Sequence, residues 1–287
     1  MIIASFLTTN SSHATVQMVD NLIFLKLGGS LVTDKQKPFT VRENVLPVIA
    51  DQIAEAQRSD PKLTILLGHG SGSFGHTAAA RYGTRDGVSG PEGWRGFSEV
   101  WFQASRLNHL VMEALHQSGI DTISMPPSAM VIAKHGKIIT WELENLRQAL
   151  SNRLMPVIFG DVIFDCSLGG TILSTEDLFM YLARQLKPRR ILLAGIEAGV
   201  WADYPSRSTL IKEITPRNIS SVIDTIASSS AVDVTGGMRS KVLQMLMLTG
   251  EIPSLQIHIF SGLIEKNILD VLQGASIGTL IRGVSKT

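Results

Sequence analysis

The sequence predicts an α/β protein with a mainly parallel open sheet and helices on both faces. Strand-length apolar runs alternate with helical stretches from residue 22 to residue 281, the pattern of parallel strands joined by crossover helices. The runs at 22–27, 63–67 and 155–159 are nearly unbroken in apolar residues, as strands covered on both faces are. Two of them lead into glycine-rich loops, at the carboxyl edge where such sheets bind ligands.

The composition of the 287 residues, 44% hydrophobic and 18% charged, supports a large core in one domain or two lobes. A formal net charge of +1 supplies no field for nucleic acid or an anionic membrane, so neither is expected as a partner. The single cysteine, Cys166, excludes an intrachain disulfide and a cysteine-rich metal site, and fits a reducing cytoplasm. No apolar run reaches the roughly 18 residues of a membrane span. Residues 1–7 are apolar, but no Lys or Arg precedes Lys26, so they are not read as a signal peptide. Residues 1–20 read as a disordered extension.

After the strand at 22–27, Thr40 is placed to cap a helix over 41–58, with Pro47 shifting its start or kinking it. Asp60-Pro61 marks a turn before the second strand, and a helix begins within the glycine loop that follows and runs to Tyr82. Residues 83–96 hold five glycines and a proline and read as a mobile flap. A helix over 97–117 stops at Gly119, and a short strand at 121–125 ends in Pro126-Pro127. Strands are expected at 137–140 and 155–159, a helix at 143–150, and a hairpin pairing 162–164 with 171–173. A helix over 176–186, capped by Ser174 or Thr175, precedes a strand at 191–194. Helices at 216–227, 238–248 and 263–272, with strands at 256–260 and 279–281, complete the chain. A lobe boundary is placed near 173–176. Cys166 and the stripe Met245, Leu246 and Leu248 read as core, or Cys166 as an inert hairpin residue.

The chemistry gathers at three glycine turns. Lys26-Leu27-Gly28-Gly29-Ser30 opens the chain, Gly68-His69-Gly70-Ser71-Gly72-Ser73-Phe74-Gly75-His76 follows, and Asp233-Val234-Thr235-Gly236-Gly237-Met238 leads to Lys241. Glycines let backbone N–H groups close on an anion, and a helix start adds partial positive charge. Gly70-x-Gly72-x-x-Gly75 fits a dinucleotide fingerprint, but it is not in the first strand–helix turn, His76 follows it, and no strand ending in an acid lies about 20 residues on. A glycine turn serving geometry alone is the other reading of that pattern. The P-loop pattern is absent, because Lys26 precedes its glycines. A lysine within an apolar strand needs an anion, or else snorkels from an edge. Lysines beside glycine turns read as clamps for a transferring phosphoryl group, whose chemistry needs mainly positioning and charge neutralisation. His69 reads as structural, and no set of metal ligands is found around His69 and His76. His76 reads as a phosphate donor or a surface cap. Asp177 lies in a first helical turn, where an acid commonly complements the dipole, and Asp161 follows Gly160 at a strand's carboxyl end.

Together these residues resemble the amino acid kinase superfamily, and within it the isopentenyl phosphate kinases, over about residues 22–282. The opening motif with Lys35 at its second lysine, Gly160-Asp161, Ser174 to Asp177 with Leu182-Ala183, Gly199-Val200 with Asp203 and Pro205, and the turn before Lys241 place the superfamily. The loop closed by His76 resembles the isopentenyl phosphate kinase branch. Ser71 stands where glycine is more usual, and Gly195-Ile196-Glu197-Ala198 replaces a usual Thr-Asp-Val-Asp, which leaves nucleotide preference open.

The resemblance implies a three-layer α/β/α sandwich, with an acceptor lobe at 21–174, an ATP lobe at 175–287, and a homodimer. It implies transfer from ATP, with Mg²⁺, to isopentenyl phosphate. Lys26, Lys35, His76, Asp177 and Lys241 are the implied catalytic set, with Asp177 orienting the lysines. Gly29, Ser71, Gly72, His76, Gly160 and Asp161 are the implied acceptor contacts. Lys26, Gly28, Gly29, Ser30, Gly72, Gly195, Gly199, Gly237 and Lys241 are the implied ATP contacts. The isopentenyl tail is expected against the helix at 97–112 and the flap before it. A kinase for another small acceptor such as fosfomycin, a dinucleotide-dependent oxidoreductase and a non-catalytic nucleotide sensor are the alternatives.

Overall fold

The computed structural model describes residues 21–229 and 237–283. In chain order the elements are β1 (Leu22–Leu27), α1 (Gly29–Val32), α2 (Leu46–Ser59), β2 (Thr64–His69), α3 (Gly72–Tyr82), α4 (Gly90–Gln117), β3 (Thr122–Ser124), β4 (Val131–Lys134), β5 (Lys137–Trp141), α5 (Glu144–Ser151) and β6 (Met155–Phe159). They continue with β7 (Asp161–Asp165), β8 (Gly169–Leu173), α6 (Thr175–Leu186), β9 (Arg190–Gly195), β10 (Val200–Trp201), β11 (Leu210–Ile211), β12 (Glu213–Ile214), α7 (Ile219–Ser229), α8 (Gly237–Glu251), β13 (Gln256–Ser261), α9 (Asn267–Leu272) and β14 (Thr279–Arg282).

Eight strands form one sheet in the order β12-β14-β13-β9-β1-β2-β6-β3. The run from β13 to β3 is parallel, and β14 turns antiparallel onto β13. The four strands preceding residue 174 lie on one side of the β1–β9 pairing and the four later ones on the other. Strand periodicity explains the layers. Leu22 and Phe24 join one core with Leu178, Leu182 and Met245 from α6 and α8. Ile23, Leu25 and Leu27 join the opposite core with Ile49, Ile53, Leu107 and Ile268 from α2, α4 and α9. Both faces of β1 are therefore buried, and Lys26 points to the Phe24 side.

Several expectations give way. α2 starts at Leu46 rather than 41, with Pro47 in its first turn, where a missing N–H is harmless. Thr40 does not cap it; its backbone N–H donates to Ser73 Oγ. Residues 83–96 are not a flap: after a 3-10 turn at Thr84–Asp86 the chain enters α4 at Gly90. Gly83 supplies the left-handed α3 cap, φ 63°, so these glycines shape turns. Residues 263–266 lie outside α9. Strands do not alternate with helices throughout, because β5-β4-β7-β8 form a second, mostly antiparallel sheet. Cys166 is exposed in the β7–β8 turn and is no part of the core.

Candidate active site

The first two glycine loops touch. β1 and β2 are parallel neighbours with Lys26 opposite Gly68, so both loops leave the sheet at one level. A Cβ on Gly29 would lie 2.7 Å from the Gly72 backbone nitrogen, and one on Gly70 would lie 2.8 Å from that of Gly29. Gly72 adopts φ +49°. Gly70 and Gly72 thus let two backbones meet, and Gly75, where a Cβ would lie 2.3 Å from Ser71 Oγ, lets the second loop close on itself, so their spacing needs no dinucleotide. Among the described residues, the backbone N–H groups of Gly29, Ser30, Ser71 and Gly72 have no protein acceptor. Two come from each loop, and the starts of α1 and α3 add their dipoles.

The lysines meet at an acid that the sequence reading missed. Lys26 is 7% exposed, and its Nζ lies 2.7 Å from Glu176 Oε1. Lys241 Nζ, from α8, lies 3.3 Å from the same oxygen. Burial raises the Glu176 carboxyl, but Lys26 and Lys241 outweigh it and hold the pKa at about 2. Burial lowers the Lys26 pKa; Glu176 opposes the fall, and Lys241 and Lys35 add to it, so the balance is a lowered value.

Asp177 does not orient the lysines. Ser174 is the N-cap of α6, its Oγ accepts from Asp177 N–H at 3.1 Å, and the Asp177 carboxylate accepts from Ser174 N–H at 3.0 Å. This reciprocal box occupies Asp177 and leaves Glu176, one residue earlier, to face the sheet. Gly68 makes the approach possible, because a Cβ there would strike Thr175 Cγ2 at 2.6 Å and the Phe179 ring at 2.7 Å. The Thr175 hydroxyl seals the contact by donating to the His69 carbonyl at 2.7 Å. Ser174-x-x-Asp177 was the signal that would have reserved Asp177 for the cap.

His76 is exposed on the first turns of α3. Partial desolvation, then the charges of Lys35, Arg85 and Lys26, lower its pKa. Arg85 is a cation that the sequence reading did not single out. It sits in the turn after α3, where its carbonyl accepts from the Thr171 hydroxyl at 2.9 Å.

His69 is fully buried, with ring nitrogens 3.2 Å from Asn108 Oδ1 and 3.2 Å from the Gly70 carbonyl, and it stacks on Phe159. Gly160 N–H donates to the His69 carbonyl at 3.1 Å. Asp161 is turned to other work: its buried carboxylate accepts from Ser128 N–H at 3.1 Å and Val162 N–H at 2.9 Å. Burial raises its pKa to about 6.

On the other side of β1, Gly28 N–H donates to the Ala194 carbonyl at 2.8 Å. Gly195 ends β9 with open space where its Cβ would be. Gly199 is packed instead, since a Cβ there would lie 2.6 Å from Thr279 Oγ1. In the atypical stretch that follows Gly195, Glu197 accepts from Trp201 Nε1 and from Arg207, both at 2.9 Å. Gly237 begins α8, and Asp233 to Gly236 lie outside the described residues.

Two N–H pairs, a lysine–glutamate–lysine bridge and an exposed histidine at a parallel sheet's carboxyl edge define a phosphate-handling site. Residues 21–261 match the Amino acid kinase family, and the chain belongs to that family. It is 34% identical over 263 residues to the isopentenyl phosphate kinase of Haloferax volcanii, covering 92% of this chain and 99% of that one. The isopentenyl phosphate kinase of Methanocaldococcus jannaschii is 33% identical over 229 residues, covering 77% and 85%. A crystal structure of isopentenyl phosphate kinase superposes with a TM-score of 0.75 at 28% identity, over 91% of this chain and 99% of its own.

Proposed function

We infer that this protein transfers the γ-phosphoryl group of ATP to isopentenyl phosphate, giving isopentenyl diphosphate and ADP. The observation that carries this reading is the meeting of the two glycine loops, with Lys26 behind and His76 at the end of the second. An acceptor phosphate near neutral pH is largely a dianion, with a second pKa of about 6, so an acceptor oxygen attacks without a strong base. The bond between the γ-phosphorus and its bridging oxygen breaks, and ADP leaves with that electron pair.

In this reading Lys26 and Lys35 neutralise the transferring group and Lys241 the donor β- and γ-phosphates. Glu176 takes the orienting role that Asp177 was expected to fill. His76, Ser71 and Gly72 hold the acceptor phosphate, and Gly160, whose N–H is given to the His69 carbonyl, borders it. Gly28, Gly29, Ser30, Gly195 and Gly237 border the nucleotide. Asp161 and Gly199 support the backbone beside the site. Mg²⁺, entering with the nucleotide, would supply charge neutralisation. The donor set favours that route, because Glu176 is committed to two ammonium groups.

Residues 21–174 are proposed as the acceptor lobe and 175–287 as the nucleotide lobe, which the equal division of strands about β1 and β9 supports. A cytoplasmic homodimer is proposed. Trp101, Phe102 and Leu110 on α4 and Ile123 on the edge strand β3 are exposed apolar side chains that such an interface would cover. Among the described residues no helix is long and apolar enough to cross a membrane.

The test is ADP release from ATP and Mg²⁺ against a panel of phosphorylated alcohols, fosfomycin and no acceptor. Release with isopentenyl phosphate supports the reading, and release with fosfomycin alone overturns it. His76→Ala should lower kcat/KM for isopentenyl phosphate by roughly 100-fold or more, the scale of losing a preorganised donor. Unchanged kinetics in that variant would remove His76 from the acceptor site.

A further inference from the structure

We infer that Thr33 is a positioning residue for phosphoryl transfer, a clasp whose hydroxyl fixes the first glycine loop against the second. This rests on the transfer reaction proposed for that junction. Thr33 ends α1 and is fully buried. Its hydroxyl donates to the Gly29 carbonyl at 2.8 Å and accepts from Ser73 N–H at 2.9 Å. Ser73 is the second residue of α3, and its N–H is one of the donors that a helix start leaves without an internal partner. Ser71, the N-cap, makes no side-chain bond to that helix. The cap of α3 is therefore supplied from the other loop, forty residues earlier in the chain.

The contact is tight and has little freedom. A Cβ on Gly72 would lie 2.2 Å from Thr33 Oγ1 and 2.7 Å from its Cγ2, so Thr33 fills the space that Gly72 leaves. Arg42 Nε donates to the carbonyls of Ser30 at 3.1 Å and Thr33 at 3.2 Å, and Thr33 pairs with Val41. The four unpartnered N–H groups are contributed in pairs by the two loops. One pair faces the nucleotide and the other the acceptor phosphate, and the two phosphates meet only while the loops keep their relative position. A shift of about 1 Å in such a site lowers transfer by roughly 100-fold.

Thr33→Ser and Thr33→Cys test this, because they differ only in oxygen against sulfur at the clasp, and sulfur hydrogen-bonds weakly. Thr33→Val keeps the volume and removes the bonds. Thr33→Ser should keep kcat within about threefold, whereas Thr33→Cys and Thr33→Val should lose roughly 10- to 100-fold. The Kd for ATP, read by calorimetry, should stay within about twofold, since Gly28 remains tied to Ala194. If Thr33→Val does not fold, the serine and cysteine variants decide the matter.

A purely structural role would lower the melting temperature of the variants while leaving kcat at 25 °C unchanged, and that result overturns the inference. So does a serine variant as slow as the cysteine one. Amide exchange at Ser73 gives a readout without substrate. It should be as slow as wild type in Thr33→Ser and faster in the other two. A wild-type protein inactive on isopentenyl phosphate, yet with this exchange pattern, would overturn the transfer reading alone; an active one with hydroxyl-independent kcat would overturn the clasp.

Discussion

Glu176 and Asp177 carry the same charge at adjacent positions and do different work. Glu176 faces Lys26 and Lys241, and Asp177 closes the start of α6. Glu176→Gln should therefore lower kcat by roughly 100-fold, since it frees two preorganised cations to repel each other. It should also move the alkaline limb of the pH–rate profile to lower pH, because Glu176 is the group that raises the Lys26 pKa. Asp177→Asn should leave kcat near wild type and remove about 1 kcal/mol of stability, the usual worth of a cap. Equal losses of kcat in both variants would contradict this division. Lys26→Ala should abolish transfer with the fold retained by circular dichroism, and full activity would sink its clamp role.

At the scale of elements, the sequence shows most clearly what period and glycine determine. The strands at 22–27 and 155–159 agree with β1 and β6, because runs buried on both faces admit few alternatives. The region from 83 to 96 reads as a flap in the sequence because glycine permits freedom as readily as close packing. Gly83 is a helix cap, and Gly96 is buried where a Cβ would meet the Tyr82 side chain at 2.4 Å. Composition cannot separate a mobile glycine from one required by close packing. The second sheet was missed in part because the hairpin of β4 and β5 joins the β7–β8 hairpin through a parallel β4–β7 pairing, which local pattern does not encode. Thr33 and Arg85 escaped notice for the same reason: their partners lie in other elements. Gly72→Ala should be the most damaging change in the loops, combining a Cβ at φ +49° with the collision against Thr33. A loss of roughly 1–3 kcal/mol is expected in denaturant unfolding, together with loss of transfer.

For the molecule as a whole, acid stability is set by buried groups of opposite sign. Burial, then Arg190, depresses His258 to about 4, so below its ordinary value the unfolded chain takes up a proton that the fold refuses, and stability falls. Asp161, raised to about 6, is protonated in the fold first, so between about 6 and its ordinary 3.8 it adds stability as the pH falls. Asp161→Asn should leave His258 unopposed and steepen the acid loss by about 1.4 kcal/mol per pH unit between about pH 4 and 6. Urea midpoints across that range read the difference, and parallel curves for variant and wild type would contradict it. Neither burial was visible in the sequence, since each depends on the whole sheet being in place.

The central place of β1 has a consequence during synthesis. Its neighbours are β2, made soon after it, and β9, made only after the whole acceptor side of the sheet has emerged. A nascent chain halted at residue 174 therefore carries Leu22–Leu27 with one ladder open to solvent, an apolar template for association with other chains. Residues 21–174 produced alone should aggregate or pair edge to edge. Supplying 175–287 on a separate chain should restore solubility, and size-exclusion chromatography of the separate and co-expressed halves measures it.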